Sequence, residues 1–372
     1  MKKIGRLIFL VIIILIVCWV ASRWNVWFNK HPEPQYSIVE SVVGVQLTVG
    51  KEPLCQRVIS WRSRPDSILL NDTSVVLYWM SATDTIKPLI HKKWIKSGGG
   101  EAIFYWAEVE VMPGCYNYAI ETFDTITPYY STKISDRDTI ELLVLGDVQD
   151  KHPNLLTDSA VLALEQNYAP DYILQLGDLI DRPHQYAWDV YFASFAPLRT
   201  SVPTISIVGN HDYHKGINKY PDERFFYTFP YFLDKKNSAP LIGCCCLEFG
   251  KMQLYIIDSN QPIWNQIEQR RWLKNRLEAS LNDTKKIVAL HHPLRSARSI
   301  FNNIIVRLFY EPLILKYDVD LVLAGHEHTS CRLKSEQTGG YEQIITNFSS
   351  KNYVDSEGEQ GRKELLLKIK VN

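Results

Sequence analysis

Leu142-Leu143-Val144-Leu145-Gly146-Asp147-Val148-Gln149 is an apolar run that stops at a glycine and then presents side chains able to ligate a metal. A short continuous apolar run of this kind predicts a strand buried on both faces. The same grammar recurs downstream. Tyr172-Ile173-Leu174-Gln175-Leu176 leads to Gly177-Asp178-Leu179-Ile180-Asp181-Arg182, and Ile205-Ser206-Ile207-Val208 leads to Gly209-Asn210-His211-Asp212. Ile287-Val288-Ala289-Leu290 leads to His291-His292-Pro293, and Leu321-Val322-Leu323-Ala324 leads to Gly325-His326-Glu327-His328. Glycine before the ligand is expected to let the backbone turn sharply. A lone Gly-Asp or His-x-His is ordinary loop. Five such clusters, each after an apolar strand, form a pattern.

Helical signals lie between these strands. Leu273, Leu277 and Leu281 recur at i, i+4 and i+8, and another helix-like stretch leads to Tyr168-Ala169-Pro170. Gly250-Lys251 separates two strand-like runs as a hairpin, and Leu365, Leu367, Ile369 and Val371 alternate as a final strand. Strands alternating with helices predict a layered α/β domain over 138–372, with ligands bound beyond the carboxyl ends of the strands.

Upstream the pattern is all-β. Val58-Ile59-Ser60-Trp61, Ser74-Val75-Val76-Leu77-Tyr78-Trp79 and Ala102-Ile103-Phe104-Tyr105-Trp106 are rich in β-branched and aromatic residues. Ala107, Val109 and Val111 alternate with Glu108 and Glu110, and Pro113-Gly114 marks a turn. Residues 36–137 therefore read as a small β-sandwich, bounded by the polar Ser135-Asp136-Arg137-Asp138.

The chain has 372 residues, with 41 Lys+Arg against 41 Asp+Glu. Electroneutrality argues against a nucleic-acid-binding surface, which needs surplus basic charge. It leaves phosphate chemistry open, because a bound metal brings positive charge that a residue count omits. The N-terminus, residues 1–30, reads as a signal anchor or a signal peptide. Lys2, Lys3 and Arg6 precede the uninterrupted apolar run Leu7–Ala21, 15 residues long. That run covers about 22 Å, short of the ~30 Å hydrocarbon core. Val20-Ala21-Ser22 is a tolerable cleavage site, whereas Trp24, Trp27 and Phe28 suit the interfacial belt of an uncleaved anchor. Either way the bulk of the chain is expected outside the cytoplasm: membrane-anchored through residues 7–21, or periplasmic or secreted if residues 1–22 are cleaved. Of the seven cysteines, Cys244-Cys245-Cys246 read as small buried hydrophobes, and Cys55 with Cys115 is one conceivable pair.

The ordered set GD-x-Q, GD-x-x-D-R, GNHD, H-x-P and GH-x-H resembles the calcineurin-like metallophosphoesterase superfamily over about residues 140–371. With the β-region in front, the whole is similar to purple-acid-phosphatase architecture, in which a fibronectin-III-like domain leads the catalytic one. The resemblance implies a catalytic β-sandwich flanked by helices, two divalent metals (Mn, Fe, Zn, Co or Ni) and a metal-bridging hydroxide as nucleophile. It implies that Asp178 bridges the metals, that Asp147, Gln149 and His328 complete one site, and that Asn210, His291 and His326 complete the other. His211 would protonate the leaving group, with Asp181 orienting it, and Arg182 would bind a phosphate oxygen. Imidazole, carboxylate and amide donors suit first-row metals rather than calcium.

Two departures matter. Many relatives carry His where this chain has Gln149, whose amide oxygen is a weaker donor. The Tyr ligand pattern of true purple acid phosphatases is missing. His292 reads as either a support for the ligands or an exposed neighbour, and His184, Tyr186, His214, Arg295 and Arg298 are candidate substrate contacts. The expected activity is hydrolysis of phosphate esters, with monoesters favoured. The alternatives are phosphodiester hydrolysis of a nucleotide or lipid head group, and a non-catalytic binding protein on the same scaffold.

Overall fold

The computed structural model describes residues 2–28, 35–67, 71, 74–97, 99–149, 170–216, 219–233, 243–299, 302–349, 353 and 365–371. The helix expected before Pro170 lies outside these residues. Helix α1 (Lys2–Phe28) carries exposed Leu7, Phe9, Leu15, Trp19 and Trp24. Among the described residues no helix is long and apolar enough to cross a membrane.

The N-terminal β-region comprises β1 (Val43–Val49), β2 (Gln56–Ser63), β3 (Val76–Met80), β4 (Thr85–Ile86), β5 (Ile90–Ser97), β6 (Gly100–Glu110), β7 (Gly114–Glu121) and β8 (Tyr130–Ile134). The four strands in the order β1-β2-β6-β5 form one layer and β4-β3-β7-β8 the other. Leu47, Ile59, Trp61, Leu77, Trp79, Ile103, Tyr105, Tyr118 and Ile120 fill the space between. Trp61 and Tyr105 sit opposite each other across β2 and β6 with rings stacked at 5.3 Å, a stabilising cross-strand aromatic pair. The alternation at the end of β6 holds: Ala107 and Val109 are buried, while Glu108 and Glu110 are exposed.

The C-terminal region adds β9 (Thr139–Leu145), β10 (Tyr172–Gln175), β11 (Thr204–Ser206), the short pair β12 (Tyr213–His214) and β13 (Tyr220–Pro221), β14 (Cys245–Phe249), β15 (Met252–Ile257), β16 (Lys285–Leu290), β17 (Leu321–Ala324), β18 (Cys331–Leu333), β19 (Glu342–Ile345) and β20 (Leu365–Lys370). The first sheet runs β20-β9-β10-β11-β1-β2-β6-β5. Its C-terminal-region strands continue directly into the N-terminal layer, because β1 pairs parallel with β11 at Thr48 and Thr204. The Thr48 hydroxyl reinforces the seam by donating to the Thr204 carbonyl at 2.6 Å. The edge that β11 would otherwise expose is thereby covered. Buried Arg62 of β2 bonds Asp189 at 2.7 Å and lies over the Phe192 ring.

The second sheet is β14-β15-β16-β17-β19-β18. Leu254 and Ile256 of β15 face the first sheet, whereas Tyr255 and Ile257 face the helices outside. Burial on both faces explains the unbroken apolar runs. The helices are α2 (Gln185–Ser194), α3 (Ala196–Ser201), α4 (Glu223–Thr228), α5 (Ile263–Ala279), α6 (Ile304–Lys316) and α7 (Ser335–Thr338). Leu273 and Leu277 bury the inner face of α5, but Leu281 lies past its end and is exposed. Cys245 and Cys246 point to opposite cores, as alternation requires. Cys55 and Cys115 are both free thiols.

Candidate metal centre

Each cluster sits where a strand ends. Asp147 follows β9, Asp178 follows β10, Asn210 and His211 follow β11, His291 follows β16, and His326 and His328 follow β17. The two facing sheets therefore deliver side chains to one rim. Left-handed backbone is costly for residues other than glycine, about 1–3 kcal/mol each. Among the described residues six non-glycines adopt it, and four are Asp147 (φ 51°), Asp178 (φ 53°), His326 (φ 72°) and His328 (φ 50°). The strain is concentrated where ligands were expected.

The glycines do a different job from the one expected. Of those leading the clusters only Gly177 has a positive φ, +85°. A Cβ on Gly209 would lie 2.0 Å from the Asp178 nitrogen. Glycine is required there so that two loops can touch, not so that the chain can turn.

Asn210 Oδ1 lies 2.8 Å from His326 Nδ1 and 3.1 Å from His291 Nε2. The two imidazole nitrogens are 3.3 Å apart, and Asp178 Oδ1 is 3.3 Å from His291 Nε2. His291 Nδ1 donates to the Leu176 carbonyl at 2.8 Å, which turns the lone pair of Nε2 toward the cluster. Metal–ligand bonds of about 2.1 Å place ligand atoms roughly 3.0–3.4 Å apart, so these four atoms fit one coordination sphere. Asp147 Oδ2 accepts the His326 N–H at 2.7 Å. Its Oδ1, and Oε1 of Gln149, are buried without a hydrogen-bond partner. Such orphans are rare in a folded chain, and these two are oxygens that a cation would satisfy. Asp147, Asp178 and His291 hold donor atoms within 4.8 Å of one another, all buried.

The electrostatics agree. Burial opposes charge on every group here. On Asp178 the opposition of burial is outweighed by His291 and His211, which hold the carboxyl below its usual range. Burial pushes Asp147 well above that range. His291 is raised to about 9, because Asp178 overcomes burial. His326 falls to about 3 through burial and the neighbouring His291. One positive charge is accommodated between two carboxylates, and a divalent cation supplies it without a proton.

The structure brings together Asp147, Gln149, Asp178, Asn210, His291 and His326. His328 lies in the same loop, buried, with its ring edge-on to Tyr353. His211 is half-buried: its backbone N–H donates to Asp178 Oδ1 at 2.8 Å and its Nδ1 to the main-chain carbonyl of Asp181 at 2.9 Å. The expected orienting residue is therefore present, but through its backbone. The Asp181 carboxylate pairs instead with Arg182 Nε at 3.2 Å, and Arg182 remains largely exposed.

Some outer contacts take other roles. His184 Nδ1 caps α2 by accepting the Ala187 N–H. Arg295 is tied to Glu311 of α6 at 2.6 Å and to the Thr338 carbonyl of α7, as a strut between them. His214 stacks on Tyr220. Tyr186 is edge-on to Tyr36, and exposed Arg298 lies over the Tyr353 ring. His292 is half-buried, bonded to Ser259 at 2.9 Å and 4.1 Å from the His326 ring.

One residue carried no expectation. Asp212, fully buried, accepts main-chain N–H groups from Asp178 (3.0 Å), Leu179 (3.0 Å), Ile180 (3.3 Å) and Gly209 (2.7 Å). Burial and the nearby Asp178 raise it to about 7. Its place beside His211 was the only available signal.

The family model described as calcineurin-like phosphoesterase matches residues 140–330, about half of the chain. No curated protein matches the sequence. The structure is similar to purple acid phosphatase PPD1 from yellow lupin (Lupinus luteus) seeds, at 15% identity and TM-score 0.67, over 89% of this chain and 70% of that one. It is also similar to PhoD, at 13% identity and TM-score 0.59, over 91% of this chain and 86% of that one. At such identities the likeness is one of fold.

Proposed function

The chain belongs to the calcineurin-like phosphoesterase family and is a metallophosphoesterase, and we propose that it hydrolyses phosphate monoesters outside the cytoplasm at a two-metal centre. The observation that carries this reading is the convergence of Asn210, His291, His326 and Asp178 atoms at 2.8–3.3 Å. Beside it lie the orphaned oxygens of Asp147 and Gln149. Asp178 stands between the two groups, since Gln149 Nε2 donates to its Oδ2 at 3.3 Å while His291 approaches its Oδ1. His328, buried in the loop after β17, would add its imidazole as a further donor.

Bound metals supply positive charge for the phosphoryl oxygens and activate water. The chain does the rest. Asp178 holds its charge in a buried site, where it acts at low dielectric. His211 has its Nδ1 proton engaged by a carbonyl, which can only accept, so its Nε2 is directed outward to hold the proton for the departing alkoxide. Arg182, exposed at the rim, offers a planar fork to a phosphate oxygen. The apolar run within α1, with Lys2, Lys3 and Arg6 before it and Trp24 after it, supports export, whether that segment is retained or removed.

The test is hydrolysis of aryl phosphate and bis-aryl phosphate by protein loaded with Mn, Zn or Fe, alongside metal content by mass spectrometry. Wild-type protein is expected to hold metal and favour the monoester. Asp178→Asn is expected to lose both metal and activity. Protein that neither binds metal nor turns over either ester overturns the reading. A reporter fused after residue 35 and active only outside the cytoplasm checks export.

A further inference from the structure

We infer that the face formed by the first turns of α5 and α6 rests on a lipid bilayer, so that the metal-bearing end of the protein addresses phosphate esters presented at a membrane surface. The substrate half of this statement rests on the proposed phosphoesterase reading; the membrane half does not.

The two helices expose the same pattern. Ile263, Trp264 and Ile267 on α5, and Ile304, Ile305 and Leu308 on α6, are at i, i+1 and i+4, one stripe of a helix. All six are between 47% and 67% exposed, with Trp264 and Leu308 the most exposed. The helices run side by side, since α5 joins β15 to β16, α6 joins β16 to β17, and those strands are parallel neighbours. Arg270 Nε donates to the Phe309 carbonyl, which brings the two apolar stripes level. Six large apolar side chains left about half open on adjacent helices reach the few hundred Å² that mark an interaction surface. The flanks are basic. Arg270 and Arg271 follow on α5 and exposed Arg298 stands on the loop into α6, against Glu268. Glu311 is buried between Arg295 and Arg307. Tryptophan and aliphatic side chains with arginines behind them are the composition of an interfacial helix facing anionic lipid.

Position ties this face to the chemistry. In the loop before α5, Asn260 donates to the Val208 carbonyl at 3.0 Å, and Ser259 bonds His292 beside His326. The apolar turns thus stand at the metal-bearing rim. The N-terminal segment arrives at the same end. Tyr36 packs edge-on to Tyr186 of α2, at 5.8 Å between ring centres, and α2 directly follows the Asp178–Arg182 loop. Residues 29–35 can span at most about 25 Å, so an apolar α1 held in a bilayer keeps that rim close to it.

The full chain decides the matter. In a background in which Cys18, Cys55, Cys115 and Cys331 are each replaced by Ser, nitroxide labels at Ile267→Cys and Ile305→Cys are read in phosphatidylcholine–phosphatidylglycerol vesicles, with Met112→Cys as the aqueous control. The ratio of oxygen to nickel accessibility should rise at least about three-fold at 267 and 305 over the control, as for side chains below the head groups. Labels that stay aqueous, or that are immobilised with no change in that ratio as in a protein–protein contact, overturn the inference. Trp264→Glu with Leu308→Glu should leave aryl phosphate hydrolysis unchanged and lower hydrolysis of a lipid phosphate in vesicles about ten-fold or more. An equal effect on both overturns the substrate statement. Wild-type protein that contacts lipid yet hydrolyses neither substrate refutes the enzymatic reading and leaves the membrane face standing.

Discussion

Asp212 Oδ2 accepts the backbone N–H of Asp178 at 3.0 Å, so the loop after β11 holds up the loop after β10. The same carboxylate takes three further main-chain donors. The position of Asp178, and of everything it faces, depends on a side chain that is itself fully buried.

Asp212→Asn should therefore weaken metal binding about 10–100-fold, the usual cost of losing a group that orients a ligand. An amide presents N–H to N–H on one side of the loop, which should also cost about 1–3 kcal/mol of stability. Metal titration and urea unfolding of the same variant measure the two effects. Wild-type metal affinity would show that the loop supports itself.

His211 is oriented by the main chain of Asp181, not by its carboxylate. Asp181→Asn should accordingly change kcat less than about three-fold, whereas His211→Asn should lower it about 10²–10⁴-fold, as expected for loss of a general acid. A collapse of kcat in Asp181→Asn would return the orienting role to the side chain.

Gln149 presents a buried oxygen without a hydrogen-bond partner beside Asp178. Imidazole is the stronger donor to a first-row metal, so Gln149→His should retain metal about ten-fold longer during dialysis against a chelator. Faster loss would mean that the amide's bond to Asp178 matters more than its donor strength.

Glu311 is bound by Arg295, Arg307 and the Tyr341 hydroxyl. Burial raises its pKa, but these partners outweigh it and hold the carboxyl below its ordinary 4.5. A depressed folded pKa gives stability that is present above 4.5 and lost as pH falls through the folded value. Glu311→Gln should cost roughly 2 kcal/mol at pH 7, with the deficit shrinking below pH 4.5 and kcat unchanged. Chemical denaturation across pH reads this directly. A loss of activity at full stability would mean that Arg295 touches substrate after all.

The order of the candidate ligand clusters, the buried strands before them and the layered α/β class were legible in the sequence. Each rests on the identity and spacing of neighbouring side chains: apolar runs bury on both faces, and oxygen and imidazole donors are chemically distinctive wherever they occur. Alternation likewise exposed the N-terminal sandwich. Tertiary structure alone decided that β1 extends the catalytic sheet at Thr204, that Gly209 is required for contact between loops, and that the Asp181 backbone, not its carboxylate, holds His211. It alone gave Asp212 a role and made Arg295 a strut. The reason is common to all of these. Main-chain N–H and C=O groups are the same at every residue, so a contact made through them between segments distant in the chain leaves no mark on the residues that make it.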